Sequence, residues 1–116
     1  LNRLKKGWPL QADPTVIFCI REKKGQNTVI KRVLTTDLKI DSPYNTYLYK
    51  GLPPGVISMP DVSAIDAVLN ASKHNYYYMC ANTEKIGFHT FAKTLSQHNR
   101  NAEKYHRWLN NKGINR

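Results

Sequence analysis

Eight carboxylic side chains are the candidate general acids and bases of this chain. Cleavage of a glycosidic bond, for example, needs a positioned carboxylic acid that is usually paired with a second carboxylate. None of the eight is embedded in an apolar segment, the environment that prepares a carboxyl group for general-acid work. They are Asp13, Glu22, Asp37, Asp41, Asp61, Asp66, Glu84 and Glu103. The residue types alone therefore assign no catalytic acid.

The histidines and cysteines do not form a metal site either. His98 and His106 lie eight positions apart on one predicted helix with no acidic partner in sequence, the other two histidines lie elsewhere, and Cys19 and Cys80 have no metal-ligand spacing. Both cysteines lie in apolar segments, which predicts buried, reduced thiols. His89, beside Phe88 on a predicted strand, could line a sugar or base pocket or could be structural. No nucleotide or nucleophile-elbow motif is present, and we predict neither a metal nor a cofactor.

A loop over residues 42–60 is the feature around which the other candidates are arranged. It contains four of the six prolines and two of the six glycines, together with Tyr44, Tyr47 and Tyr49. The Pro53-Pro54 pair fixes two successive φ angles, and long ordered loops are usually functional. The sequence predicts a rigid binding loop. A structural turn that packs its tyrosines into a core is the alternative.

Composition indicates one domain over residues 1–116, and 18 Lys and Arg against 8 Asp and Glu give a net charge of +10. This charge favours anionic partners such as nucleic acid, an acidic membrane face or a cell-wall polymer, although an ordinary solvated basic surface is commoner. No apolar run is long enough to cross a bilayer. Residues 1–7 are typical of the end of a helix stopped by Gly7, which predicts a fragment of a longer protein.

The elements that must position these residues indicate an α+β fold. In the first part of the chain we predict a helix from Thr15 to about Ile20 with Asp13 as N-cap and Pro14 at its first position, and a mobile basic loop over 21–27. Next come a short strand or irregular segment over 28–34 and a capped helical turn over 35–38. A helix capped by Asp61 is predicted to reach about Asn70.

The second part predicts a small antiparallel sheet packed with helices. Its hairpin spans about 76–92, with residues 76–81 resembling a central strand. A long helix over about 94–111 opens with a Thr94–Gln97 capping box and ends at Gly113. Its predicted buried stripe comprises Leu95, His98, Ala102, Tyr105 and Leu109.

Several motifs in this order resemble one family. They are Asn2-Arg3-Leu4, Leu10-Gln11-Ala12-Asp13-Pro14-Thr15-Val16, Ser42-Pro43-Tyr44-Asn45-Thr46-Tyr47, Gly51-Leu52-Pro53-Pro54-Gly55, Ala64-Ile65, Gly87-Phe88-His89-Thr90-Phe91 and His98-Asn99. Almost the whole chain resembles the C-terminal part of the catalytic domain of the YceG-like endolytic murein transglycosylases. The segments 59–61 and 21–31 depart from the family pattern.

The resemblance implies a bacterial envelope enzyme at the extracytoplasmic face of the inner membrane, with an N-terminal membrane anchor and a LysM-like region that this chain lacks. Such enzymes cut nascent peptidoglycan between N-acetylmuramic acid and N-acetylglucosamine and leave 1,6-anhydro ends. One carboxyl group suffices, because it protonates the leaving oxygen and then takes the proton of the sugar's own 6-hydroxyl. The resemblance places that acid, a Glu, upstream of Leu1, so we expect the fragment alone to be inactive.

The family pattern also implies the residues that line the glycan groove. They are Gln11, Asp13, Tyr44, Asn45, Thr46, Tyr47, Leu52, Pro53, Pro54 and His89. Amides and hydroxyls suit sugar hydroxyls and N-acetyl groups, and tyrosine faces suit apolar sugar faces. On this interpretation Asn45→Ala lowers turnover of the parent enzyme and leaves its melting temperature nearly unchanged. Helix capping by Asp13 and a turn stabilised by Asn45 are the structural alternatives.

Two other functions stay open from sequence. A basic, non-enzymatic module for an anionic polymer such as nucleic acid would use the charge and the tyrosines, but no recognised basic-aromatic motif is present. An aminodeoxychorismate lyase would need a pyridoxal phosphate lysine and a phosphate cradle, and neither is visible. We therefore expect peptidoglycan strands as the partner, with cell-wall synthases as further candidates and no nucleic acid.

Overall fold

The computed structural model describes residues 1–114. They form two compact units, one of residues 3–74 with Leu1 and one that begins at residue 75 and includes Asn2. The helices are α1 (Asn2–Lys6), α2 (Asp13–Lys24), a 3-10 helix (Thr35–Lys39), α3 (Val62–Leu69) and α4 (Leu95–Asn111). The strands are β1 (Tyr78–Ala81) and β2 (His89–Ala92), so the predicted α+β class is confirmed. No helix in the described part of the chain has the length and apolar character needed to span a membrane.

Helix α1 ends where the sequence predicts. Gly7 adopts the left-handed conformation with φ 70°, and its N–H donates to the carbonyl of Leu4. Glycine accepts this conformation without the steric cost that a side chain would add.

Helix α2 is longer than predicted at both ends. Ala12, not Asp13, is its N-cap, and Asp13 lies in the first turn. At the other end the helix continues through residues 21–24, which the sequence analysis assigned to a mobile loop. Arg, Glu and Lys are good helix formers, and cations near a helix C-terminus are favoured by the helix dipole. Gly25 then ends the helix with φ 108°.

The buried core of the first unit is small and partly polar. Val16, Cys19 and Ile20 of α2 are its apolar members. Residues 28–34 contain no strand, so the irregular alternative holds. The following 3-10 helix is the predicted helical turn, and its Asp37 accepts a hydrogen bond from the backbone N–H of Leu34 at 2.8 Å.

Helix α3 follows the predicted span, although no side-chain hydrogen bond caps it at Asp61. Every residue from 61 to 70 is exposed. The apolar spacing of this segment therefore predicts the helix correctly. The apolar face of α3 is not covered by other residues of the first unit.

The second unit is a hairpin packed on α4. Strands β1 and β2 are antiparallel, with Met79 opposite Phe91 and Cys80 opposite Thr90. The sheet of the described residues has two strands, so β1 is not the central strand that its sequence suggests. For the same reason Cys80 is half-exposed rather than buried, whereas Cys19 is buried as predicted, and both thiols are free.

Helix α4 begins with the predicted cap, because the side-chain oxygen of Thr94 accepts from the N–H of Gln97 at 3.3 Å. Its predicted buried stripe is wrong in extent. Leu109 alone is buried, His98 is half-buried and stacks on Tyr78 with ring centroids 5.1 Å apart, and Leu95 is exposed. Strands lie about 4.8 Å apart, so two of them cover only part of a helix about 25 Å long.

Candidate functional site

The first unit brings together two segments that are far apart in sequence, residues 11–15 and residues 44–47. The N–H of Gln11 donates to the carbonyl of Thr46 at 3.2 Å, and the N–H of Ala12 donates to the Thr46 hydroxyl at 2.9 Å. We call these two segments together the paired-segment site. Both belong to motifs that the sequence analysis singled out.

A buried pair of hydroxyl groups joins the two segments. The Thr15 hydroxyl donates to the carbonyl of Ala12 at 2.6 Å, which uses its single proton. The Thr46 hydroxyl, 2.8 Å away, must therefore donate to Thr15 while it accepts from Ala12. Thr46 is fully buried, and its hydrogen bonds to Ala12 and Thr15 fix the loop against the start of α2.

At the surface of the site a tyrosine binds a carboxylate. The Tyr47 hydroxyl donates to Oδ1 of Asp13 at 2.5 Å. Burial raises the pKa of Tyr47 well above its usual range, the hydrogen bond to Asp13 raises it further, and the charge of Arg3 opposes this in part. The phenol is therefore a neutral donor. Asp13 is exposed, and its second oxygen, Oδ2, has no hydrogen bond among the described residues.

An arginine outside the predicted set supports the first segment. One terminal nitrogen of Arg3 lies within hydrogen-bond distance of the carbonyls of Pro9 and Leu10, at 3.0 and 3.2 Å. The same nitrogen donates to Oε1 of Gln11 at 3.1 Å. Gln11 has φ 50°, a conformation that costs a residue with a side chain of order 1 kcal/mol. The Asn2-Arg3-Leu4 motif was the only sequence signal for Arg3.

The structure gives Asn45 a structural environment. Its side chain is fully buried. Nδ2 donates to the carbonyls of Leu38 and Ile40 at 2.9 and 2.8 Å, and Oδ1 accepts from the N–H of Tyr47 at 3.0 Å. Both donors of the amide are used by the end of the 3-10 helix, at Leu38 and at the following Ile40. A direct hydrogen bond from Asn45 to a glycan, as expected from sequence, would have to replace one of these bonds.

The proline-rich turn combines an exposed tip with an anchored base. Leu52 and Pro54 are exposed and Pro53 is half-buried. The ring of Tyr44, at the base, packs on Phe18 with centroids 4.7 Å apart. Gly51 has φ 84°, as its predicted turn role requires.

Gly55 has a different explanation from Gly51. Its φ is not positive, and a Cβ at this position would come within 3.0 Å of the Tyr44 hydroxyl. The need for space beside Tyr44, not a left-handed backbone, therefore accounts for glycine at position 55.

His89 belongs to the second unit, where it begins β2 and is exposed. Its ring lies 6.4 Å from that of Phe91. A shallow cavity of about 130 Å³ in the same unit is lined by none of the ten predicted residues. Among residues 1–114, no group of three or more His, Cys, Asp or Glu side chains is arranged to hold a metal ion.

Residues 1–104 match the sequence model of the YceG-like family. The chain belongs to this family. It is 46% identical over 104 residues to the endolytic murein transglycosylase of Bacillus subtilis and 33% identical to that of Streptococcus pneumoniae. These alignments cover 90% of the chain but only 27% and 18% of the two relatives, so the chain spans about a quarter or less of their length.

A solved structure supports the family assignment. The crystal structure of a YceG-like protein from Listeria monocytogenes superposes with a TM-score of 0.72 at 44% identity, over 85% of this chain and 30% of that protein. The motifs that meet in the paired-segment site therefore occur in a chain whose fold and sequence both match a YceG-like protein.

Proposed function

We propose that this chain is the glycan-binding part of a cell-wall lytic transglycosylase. The curated relatives are named endolytic murein transglycosylases, which makes peptidoglycan the substrate that we infer for this chain. The observation that carries the proposal is the Tyr47–Asp13 hydrogen bond, which presents a carboxylate at an exposed edge of the paired-segment site. A carboxylate can accept hydrogen bonds from sugar hydroxyl and acetamido N–H groups, and a few such polar groups fix the orientation of a ligand.

The ten predicted residues divide by their burial into two roles. We assign glycan contact to Gln11, Asp13, Tyr47 and the Leu52–Pro54 turn, which have exposed or half-exposed side chains, and we assign positioning to the buried Asn45 and Thr46. Tyr44 anchors the turn through Phe18, and His89 stays a proposed contact from the second unit.

The proposed reaction cuts the bond between N-acetylmuramic acid and N-acetylglucosamine without water. A carboxylic acid gives its proton to the leaving oxygen, the muramic acid 6-hydroxyl closes on C1, and the carboxylate takes the hydroxyl proton. The sugar itself supplies the nucleophile, so a second carboxylate is not needed and a 1,6-anhydro end results.

We propose that the acid lies outside these 116 residues. Asp37, the buried carboxylate of the described residues, accepts a backbone hydrogen bond in its own 3-10 helix. Asp13 is exposed and already accepts a hydrogen bond from the Tyr47 hydroxyl, so we assign it to glycan binding.

The same proposal implies where in the cell this protein acts and which proteins are its partners. Peptidoglycan cleavage requires the bacterial cell envelope, and we propose the extracytoplasmic face of the inner membrane, with anchoring by a segment outside this chain. Cell-wall synthases, which make the strands to be cut, are the proposed protein partners.

Cosedimentation of the 116-residue chain with purified sacculi tests the binding role. Asp13→Ala removes a charged hydrogen-bond acceptor worth about 1.5–3 kcal/mol, so we expect about tenfold or more weaker binding. Asp41→Ala is the matched control, since Asp41 also accepts from a tyrosine hydroxyl, that of Tyr49, at 3.0 Å outside the paired-segment site.

Equal losses in the two variants would contradict the proposal, because they would point to general charge rather than to this site. Binding that DNA displaces completely and that vanishes with modest salt would favour the anionic-polymer alternative. Melting temperatures of both variants show whether a loss of binding reflects unfolding.

A further inference from the structure

At the exposed edge of the paired-segment site, the structure determines which groups donate hydrogen bonds and which accept them. Arginine can only donate hydrogen bonds, so the contact from Arg3 requires Gln11 to present its oxygen toward the guanidinium. The Gln11 nitrogen, Nε2, is then the end of the amide left for other partners, and no described residue accepts from it. Gln11 is exposed.

Asp13, two positions further along, offers a hydrogen-bond acceptor where Gln11 offers a donor. Its Oδ1 is occupied by the Tyr47 hydroxyl, and Oδ2 has no hydrogen bond within the described residues. One short segment therefore offers a donor with two N–H groups at Gln11 and a charged acceptor at Asp13.

A secondary amide carries the complementary pair of groups, a carbonyl that accepts and an N–H that donates. A plain sugar hydroxyl can satisfy either group of the site, but it lacks the fixed separation of donor and acceptor that an amide provides. A ligand that pairs with both groups at once gains one more hydrogen bond than a ligand that pairs with only one of them, and it should therefore bind more tightly.

The backbone of Gln11 shows that this arrangement is held in place. Its φ of 50° is unfavourable for glutamine, and three contacts oppose relaxation. The N–H of Gln11 binds the carbonyl of Thr46, its Oε1 binds Arg3, and Arg3 also binds the carbonyl of Leu10. Such conformations persist where the surroundings over-determine them.

We propose that Gln11 and Asp13 recognise the acetamido group of an N-acetylated sugar, and that Arg3 is the positioning residue that sets the orientation of Gln11. The inference rests on the proposed function, because it names the group of the glycan that this site reads. Gln11 Nε2 donates to the acetamido carbonyl, and Asp13 Oδ2 accepts from the acetamido N–H.

Two neutral oligosaccharides with the same backbone test the inference. Tri-N-acetylchitotriose has an acetamido group at C2 where cellotriose has a hydroxyl. Titrations of the whole 116-residue chain are followed by the backbone N–H signals of residues 11–13 in heteronuclear NMR spectra, which every variant retains, and in the wild type also by the side-chain N–H signals of Gln11. We expect saturable shifts of these signals with chitotriose, and about tenfold weaker binding of cellotriose.

Variants separate recognition from folding. Gln11→Glu replaces the donor by an acceptor and keeps the contact to Arg3, so the preference for chitotriose should fall about tenfold, the equivalent of about 1.4 kcal/mol. Gln97→Glu is the control, since Gln97 also accepts from an arginine, Arg100 at 2.6 Å, and lies on α4. It should keep the wild-type preference.

Arg3→Met tests positioning, because methionine is a long side chain with no N–H group to donate to Gln11 Oε1. A positioning role predicts a lower ratio of chitotriose to cellotriose affinity, whereas a merely structural role lowers both affinities equally. The inference is overturned if the wild-type chain binds both trisaccharides alike, or if the ratio is unchanged in Gln11→Glu. If the wild-type chain binds sacculi but does not prefer chitotriose, this inference alone is rejected. If the wild-type chain does not bind sacculi, the proposed function is rejected.

Discussion

Replacing Asn45 with alanine should destabilise the first unit strongly. The side-chain amide makes three hydrogen bonds: it donates to the carbonyls of Leu38 and Ile40 and accepts from the N–H of Tyr47. Alanine removes all three and leaves two carbonyls and one N–H without these partners. The sequence-based expectation of a nearly unchanged melting temperature is therefore replaced by its opposite.

The magnitude follows from those bonds. A hydrogen bond within a protein contributes about 1 kcal/mol net, and more is lost when buried partners are left unsatisfied, so the variant should lose about 3 kcal/mol or more of unfolding free energy. Native domains have only about 5–15 kcal/mol in total. For a unit of this size the melting temperature should fall by more than about 10 °C.

Urea unfolding followed by circular dichroism measures this loss. Asn27→Ala is the control, because Asn27 is exposed and no hydrogen bond to its side chain is described. Asn45→Asp keeps the acceptor for Tyr47 but puts oxygen against the carbonyls of Leu38 and Ile40, so it should destabilise at least as much as alanine. A loss below about 0.5 kcal/mol in Asn45→Ala, as for an ordinary surface substitution, would refute the buried-amide reasoning.

Three further measurements check individual hydrogen bonds and the burial of particular side chains. Thr46→Val keeps the shape of the side chain but loses its hydroxyl bonds, and should lower the unfolding free energy by about 2 kcal/mol in the same urea assay; a neutral effect would contradict the hydroxyl pairing. The pKa of Tyr47 is raised in the folded state, so its contribution to stability is complete below the ordinary tyrosine pKa of about 10 and is lost as the pH rises above it. Tyr47→Phe should therefore show a smaller decline in melting temperature above pH 10 than the wild type, and parallel curves would contradict the burial of Tyr47 together with its bond to Asp13. Cys80 should react with a thiol reagent in the native protein before Cys19, because Cys19 is buried, and equal rates would contradict their different exposures. Burial raises the pKa of the Cys80 thiol, so its rate should still rise with pH beyond the range of an ordinary thiol.

Local signals in the sequence predicted several elements correctly. The glycine that ends α1 and the Thr94–Gln97 cap of α4 act within one turn of helix, so residue types alone reveal them. The hairpin was also predictable, because its two strands are adjacent in sequence.

The errors arise where distant residues decide the outcome. Thr46 binds the N–H of Ala12, 34 positions away, and this contact helps to place the N-cap at Ala12 instead of Asp13. The α4 stripe was overestimated because periodicity shows which face of a helix can be buried but not how wide the covering sheet is.

The site itself was predicted as a set of residues but not as an arrangement. Motif order singled out Gln11, Asp13 and Tyr47, and the structure joins them through Thr46 and a phenol–carboxylate bond. It also gives Asn45 a buried role in the loop that composition could not distinguish from ligand binding, since both uses favour an amide in a turn.

Release of anhydromuropeptides from purified sacculi, followed by mass spectrometry, distinguishes binding of the glycan from its cleavage. We propose that these 116 residues bind the glycan while the catalytic acid lies elsewhere in a longer YceG-like protein. We expect the 116-residue chain to sediment with sacculi but to release no anhydromuropeptides above a heat-treated control, whereas a full-length YceG-like relative should release them under the same conditions. Release by the 116-residue chain alone would contradict the account, because it would place the acid among the carboxyl groups described above.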